Sequence, residues 1–292
     1  MGTNMTVEVE GDHLVVAAVP EEPRRPHRGR WWKVLIGIGV VLVLLVGGAA
    51  LWFLIGREDA KQVTDQQAIE ALGANGATGT DAAGRPAVGV YTATADGTES
   101  IGVPGLDEGL GPNAPVTVTH GDGGCFTYRV DFNSHHWRNW NFCPTADATF
   151  AVTGLQSWTY RKAPGIDVDS LLTYVCEEPI AFLWSGAAAG DQRSGSCTGT
   201  ASDSDGVTAD ASSIEVLDRG TMTVGDETIE VVHLRSSDVL TDAQTGTEVD
   251  EWWLDAETGL PVKLSIDARI SVSGSDYRET GVLTLSTLVP AT

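Results

Sequence analysis

The sequence is short of positive charge. Lysine and arginine total 18 against 40 acidic residues in a chain of 292, for a formal net charge of -22. The deficit is not spread evenly. Residues 1–33 hold five acids (Glu8, Glu10, Asp12, Glu21, Glu22) and five bases (Arg24, Arg25, Arg28, Arg30, Lys33), and 34–56 hold neither. Taking five of each from the totals leaves 13 basic and 35 acidic residues beyond position 56. So acidic a segment repels phosphate backbones and anionic headgroups over a Debye length, which excludes nucleic acid as a partner.

Other absences narrow the chemistry. There is no G-x-S-x-G, no glycine-rich phosphate loop and no HExxH, so no catalytic residue, cofactor site or metal site is assigned. No CxxC pair occurs, and no cysteine follows the apolar run where a lipid would be attached. From residue 88 onward, long helical periodicity is missing.

The long apolar run is what the chain does have. Residues 34–55, VLIGIGVVLVLLVGGAALWFLI, are 22 residues without a charged or strongly polar side chain. A helix of that length spans about 33 Å at roughly 1.5 Å per residue, matching a hydrocarbon core of about 30 Å. It exceeds a signal-peptide core, and Trp52, Phe53 and Leu54 follow its small-residue patch, so it reads as an uncleaved transmembrane anchor whose partner is the lipid bilayer. The basic cluster at 24–33 puts residues 1–33 in the cytoplasm and the rest outside the cell, a single-pass membrane topology. Residues 56–87 read as a stalk or linker, with two helical turns at 65–72. Residues 88–292 read as the extracytoplasmic domain.

That domain reads as mainly β. Valine, threonine and aromatic residues alternate between Gly, Pro, Asn and Asp punctuation. The clearest strand is 262–272, with Val262, Leu264, Ile266, Ala268, Ile270 and Val272 on one face and Lys263, Ser265, Asp267, Arg269 and Ser271 on the other. One buried and one wet face mark an antiparallel sheet, and the strand's length implies a large, curved one, a half-barrel or barrel-like sheet. The apolar face of 262–272 is a candidate ligand-facing surface. A short helix is expected at 167–174 and a loop at 179–195.

All four cysteines lie in this domain, which implies two disulfides and an oxidising compartment. Residues 125–130 and 137–143 flank a polar turn at 133–135. If the hairpin is symmetric about Ser134, opposed residue numbers sum to 268, which places Cys125 opposite Cys143. Cys176 then pairs with Cys197.

Residues 252–261, WWLDAETGLP, are a strand, a turn and a strand, with Asp255 capping the turn and Gly259 at a positive φ. With the long strands after it, this segment resembles the closing hairpins of the bacterial lipoprotein-carrier (LolA-like) and mycobacterial lipoprotein fold. That resemblance implies a half-barrel closed by short helices that shelters acyl chains. The plan of anchor plus acidic secreted β domain also resembles single-pass actinobacterial envelope proteins, which implies no particular activity.

Three side-chain groups invite chemistry. His120, His135 and His136 are weighed as zinc ligands and read instead as solvated turn residues. Phe126, Tyr128, Trp137, Trp140 and Phe142 are weighed as a sugar-stacking platform and read as cross-strand pairs. Asp203, Asp205 and Asp210 miss the calcium-loop spacing and read as a polar turn. The expectation is therefore a non-enzymatic cell-envelope binding or interaction module, with a lipid or an envelope protein as ligand. The alternatives are a hydrophobic-ligand or lipoprotein-handling protein and, third, a hydrolase or metal enzyme. The oligomeric state stays open.

Overall fold

A computed structural model of the protein describes residues 8–10, 13–15, 28–74, 84–272 and 274–292. It divides into two units, Met1–Ile55 and Gly56–Thr292.

In the first unit, β1 (Glu8–Glu10) and β2 (His13–Val15) form a two-stranded antiparallel ribbon. Helix α1 is Arg28–Gly56 and contains the apolar run. Its described side chains are exposed, from 52 % at Val40 to 76 % at Ile55, except Phe53, which is half-buried. The side chains at 34, 37, 49, 50 and 54 lie outside the description, so the expected span 34–55 is only partly covered. Among the described residues, no helix is long and apolar enough to cross a membrane.

The second unit is one curled antiparallel half-barrel of fourteen strands. The first six are β3 (Gly89–Tyr91), β4 (Ala93–Ser100), β5 (Glu108–Gly109), β6 (Val116–His120), β7 (Phe126–Asn133) and β8 (His136–Cys143). The next four are β9 (Phe150–Ala163), β10 (Ile166–Leu183), β11 (Gln192–Ala201) and β12 (Thr208–Val224). The last four are β13 (Glu227–Asp242), β14 (Gln244–Asp255), β15 (Pro261–Val272) and β16 (Ser275–Leu285). From β6 to β16 each strand pairs with the next in sequence, while β3 adds to β6 at one end and β4 to β16 at the other.

That order explains the curl. β3 and β4 belong to opposite ends of the sheet, yet only Thr92 separates them. One residue spans less than 4 Å, so the two edges must meet there. Hydrogen bonds along 110–115 carry the seam upward. Ala114 N donates to Ala93 O at 3.1 Å, Ala95 N to Pro112 O at 3.0 Å and Asp131 N to Pro115 O at 3.1 Å. Right-handed strand twist accumulated over strands of up to 18 residues supplies the coiling.

The interior is apolar and aromatic. Trp252, Tyr128, Phe126, Phe132 and Phe142 are almost fully buried, each contributing about 1.5–3 kcal/mol by leaving water. In β15, Val262, Leu264, Ile266, Ala268 and Ile270 are buried, whereas Asp267 and Arg269 are exposed.

Several expectations need correction. The helix expected at 167–174 is the first half of β10, paired with β9 along its length and with β11 from Leu172 onward. Two ladders outweigh the weak helical spacing of Val168, Leu171 and Leu172. The loop expected at 179–195 is mostly strand as well. Pro179 lies within a register shift between Val175 and Ile180, where its missing N–H breaks no ladder bond.

The stretch expected as a stalk is not free of the sheet at its start. Glu58 N donates to Lys162 O at 2.9 Å, and Ser134 N to Lys61 O at 2.8 Å. Helix α2 (Asp65–Ala74) opens with a reciprocal cap. Gln67 N donates to Thr64 Oγ1 at 3.2 Å, and Thr64 N to Gln67 Oε1 at 2.9 Å. Ala68 and Leu72 then pack on Val90 of β3.

Candidate functional site

Both disulfides form, Cys125–Cys143 and Cys176–Cys197, with Cα separations of 4.1 and 3.9 Å. The β7–β8 register follows the sum of 268 through Phe126–Phe142, Tyr128–Trp140 and Asp131–Trp137. The turn itself is displaced by one residue, pairing Asn133 with His136, and a register shift between Asp131 and Asn133 restores the ladder. The pairing therefore depends on a bulge as well as on the turn.

The half-barrel encloses a cavity of about 390 Å³ between β8–β10 and β12–β16. Strand register sorts its residues into levels. One level is apolar: Trp252, which lines the cavity, stands in register with the core residues Leu234, Leu264 and, beyond it, Leu283. Trp252 meets Trp140 at 5.0 Å and 89°, and Phe182 at 5.2 Å and 86°, both edge to face. The next level holds Ser236 opposite Asp250, and the one beyond it Ser212, Asp238 and Glu248 in a row. Tyr174, Leu240, Ile270, Val272 and Tyr277 are also in the lining. Of the candidate ligand-facing residues on β15, Ile270 and Val272 line the cavity, while Val262, Leu264, Ile266 and Ala268 pack in the core.

Arg138 enters from β8 on the opposite wall. Its Nη1 donates to Glu248 Oε1 at 2.6 Å, and its Nη2 pairs with Glu279 Oε2 at 2.7 Å. His136 Nε2 donates to Glu279 at 3.2 Å, and its Nδ1 to Trp158 O at 3.0 Å. Burial disfavours a charge on His136, but Glu99 and Glu279 outweigh it and raise its pKa above the ordinary value. Burial likewise opposes the charge on Glu279. Arg138 and His136 win, so that carboxyl is held below its usual range. The chain of charges continues through Glu99 and Arg161 to Glu108 and His135.

The carboxyls facing the cavity behave differently. Burial pushes Asp210 up to about 8, with Asp238 and Glu248 adding to the shift. It pushes Asp238 up to about 6 and Asp250 far above the carboxylate range, Glu248 adding in both cases. Asp210 Oδ1, Asp250 Oδ1, Arg138 Nε and Trp252 Nε1 have no hydrogen-bond partner among the described residues.

The three histidines do not converge. His120 bonds Pro86 O at 2.8 Å, His135 bonds Glu108 at 2.9 Å, and His136 is fully buried with Glu279. His135 and His136 are buried structural residues rather than solvated turn residues. Among the described residues no group of His, Cys, Asp or Glu is arranged to hold a metal ion.

The aromatic hairpin splits by parity. Phe126, Tyr128, Trp140 and Phe142 face inward, and Trp137 stacks on Trp158 at 6.5 Å with Arg129 over its ring. In WWLDAETGLP, Asp255 accepts from Thr258 Oγ1 at 2.5 Å, and Gly259 has φ 75°. A Cβ there would lie 2.7 Å from the Phe150 ring.

Asp238, Glu248, Asp250 and Arg138 were not singled out by motif, and Asp210 was weighed only as part of a calcium loop and read as a polar turn. The signal was parity: Glu248 and Asp250 share the face of Trp252 and Leu254, and charge at core parity marks an interior polar site. In comparisons with known proteins, the chain matches no family model, no curated protein and no solved structure.

Proposed function

We propose that the chain is a single-pass, membrane-anchored extracytoplasmic protein whose half-barrel binds a small amphiphilic molecule. The observation that carries this reading is the cavity. Its volume of about 390 Å³ lies in the range of small-molecule sites, roughly 300–1,000 Å³. Aromatic and aliphatic side chains supply most of its surface, and the acidic groups Asp210, Asp238, Glu248 and Asp250 lie on the adjacent strands β12, β13 and β14. That division suits a ligand with an apolar body and one polar end. The resemblance of 221–290 to a half-barrel that shelters acyl chains points the same way. Ser236 Oγ donates to Asp238 Oδ2 at 2.8 Å, but among the described residues no histidine lines the cavity to activate that hydroxyl, which favours binding over catalysis.

Anchoring rests on α1. A helix apolar on every side is at home only in apolar surroundings, and the 22 uncharged residues at 34–55 match a bilayer. The basic flank at 24–33 orients it with the N-terminus inside, and the two disulfides fit an oxidising exterior. Protease added to intact cells should digest the β domain and spare the tail; the reverse pattern overturns the topology.

Native mass spectrometry of the purified chain tests the binding. A bound small molecule, or saturable quenching of Trp140 and Trp252 by an added apolar probe, is expected. Neither signal appearing would overturn the reading. The stacked Trp137 and Trp158 on the outer wall, with Arg129 over Trp137, favour an envelope partner as a second reading.

A further inference from the structure

We infer that the polar end of the cavity is a site for a small organic cation, an amine or quaternary ammonium attached to an apolar body. This inference deepens the ligand-binding reading and rests on it. Asp210 on β12, Asp238 on β13 and Asp250 on β14 all line the cavity. Arg138 is the only lysine or arginine lining it, and both its Nη atoms are engaged by Glu248 and Glu279. None of the three aspartates has a salt-bridge partner among the described residues. Three carboxyl groups thus face one enclosed space in which no free cation balances them.

A second observation points to a ligand independently of that count. Asp250 is 3 % exposed, lines the cavity and has an Oδ1 with no hydrogen-bond partner among the described residues. A buried carboxyl oxygen left in that condition is costly, and native proteins rarely tolerate one without a functional reason. A ligand ammonium supplies both the donor and the charge.

Trp140 and Trp252 line the same space, and an aromatic wall beside carboxyl groups suits a cation. The carboxyls are too dispersed to form a metal-ion group, whereas a cation with substituents reaches several at once. An anionic head would add a further negative charge to the cluster. A phospholipid headgroup carries its phosphate beside its amine and is disfavoured for the same reason. The ligand is therefore a free amine-type amphiphile rather than a phospholipid.

The test uses the full chain in maltoside micelles, titrated by native mass spectrometry with four soluble probes. These are hexyltrimethylammonium, hexanol, hexanoate and glycerophosphocholine. The cation should bind at least about tenfold more tightly than hexanol, with hexanoate and glycerophosphocholine weaker still. In Asp250→Asn, which keeps the shape and removes the acid, the cation-to-hexanol ratio should fall to within about threefold. Hexanol, hexanoate or glycerophosphocholine matching the cation overturns the inference and leaves the ligand-binding reading standing. Failure of all four probes to bind overturns that reading too. If Asp250→Asn does not fold, the ranking on the unaltered chain decides alone.

Discussion

Replacing Arg138 by methionine tests how the interior charge is balanced. The guanidinium is 4 % exposed and holds Glu248 at 2.6 Å and Glu279 at 2.7 Å, the latter fully buried. Methionine fills much of the same volume, so the cavity term is small and the electrostatic one dominates. Removing one partner of a buried pair costs about 3–5 kcal/mol, because the carboxylate left behind has lost its compensation. For a domain of this size that corresponds to a loss of about 6–20 °C in Tm.

The pH dependence separates this mechanism from simple misfit. Glu279 has a lowered folded pKa, so its contribution is present above the unfolded value near 4.3 and is lost as pH falls through the folded one. In Arg138→Met that advantage is gone. The gap between variant and parent should therefore be widest at neutral pH and narrow below about pH 4. Thermal unfolding followed by tryptophan fluorescence at pH 7 and at about pH 2.5, near the folded pKa, reads both quantities. A loss under about 1 kcal/mol at pH 7, or a gap indifferent to pH, would refute the reasoning.

Three further outcomes are expected. Peptide mapping without reduction should recover Cys125–Cys143 and Cys176–Cys197, and replacing Cys176 and Cys197 together by serine should cost about 3 kcal/mol on loop entropy. Asp210→Asn should leave stability unchanged near pH 4 and raise it at pH 8 and above. The folded pKa of about 8 exceeds the unfolded value, so the parent loses stability as pH rises between the two. A denaturation series over pH 4–9 checks this, and no change at the alkaline end would contradict it. Gly259→Ala should cost at least about 1–3 kcal/mol, from its positive φ and the closeness of Phe150, read as a shift in the urea midpoint.

What the chain determined by itself was local. Alternation of 262–272 was enough to define a half-buried antiparallel strand, because strand parity needs no knowledge of neighbours. The Cys125–Cys143 pairing followed from hairpin register, and Asp255 with Gly259 followed from turn chemistry. The uncharged run at 34–55 was legible as a helix, and α1 contains it. Tertiary structure decided the rest. Residues 167–174 are strand because β9 claims their backbone throughout and β11 joins from Leu172, which no local spacing reveals. The bulge that rescues the β7–β8 register is likewise set by packing. The cavity belongs wholly to the tertiary level. Arg138 meets Glu248 and Glu279 across 110 and 141 positions of sequence only because one residue, Thr92, ties the sheet's two edges together and forces it to curl. Charge at core parity was visible in β14, but whether it would meet a counter-ion or a ligand space depended on strands far away in the chain.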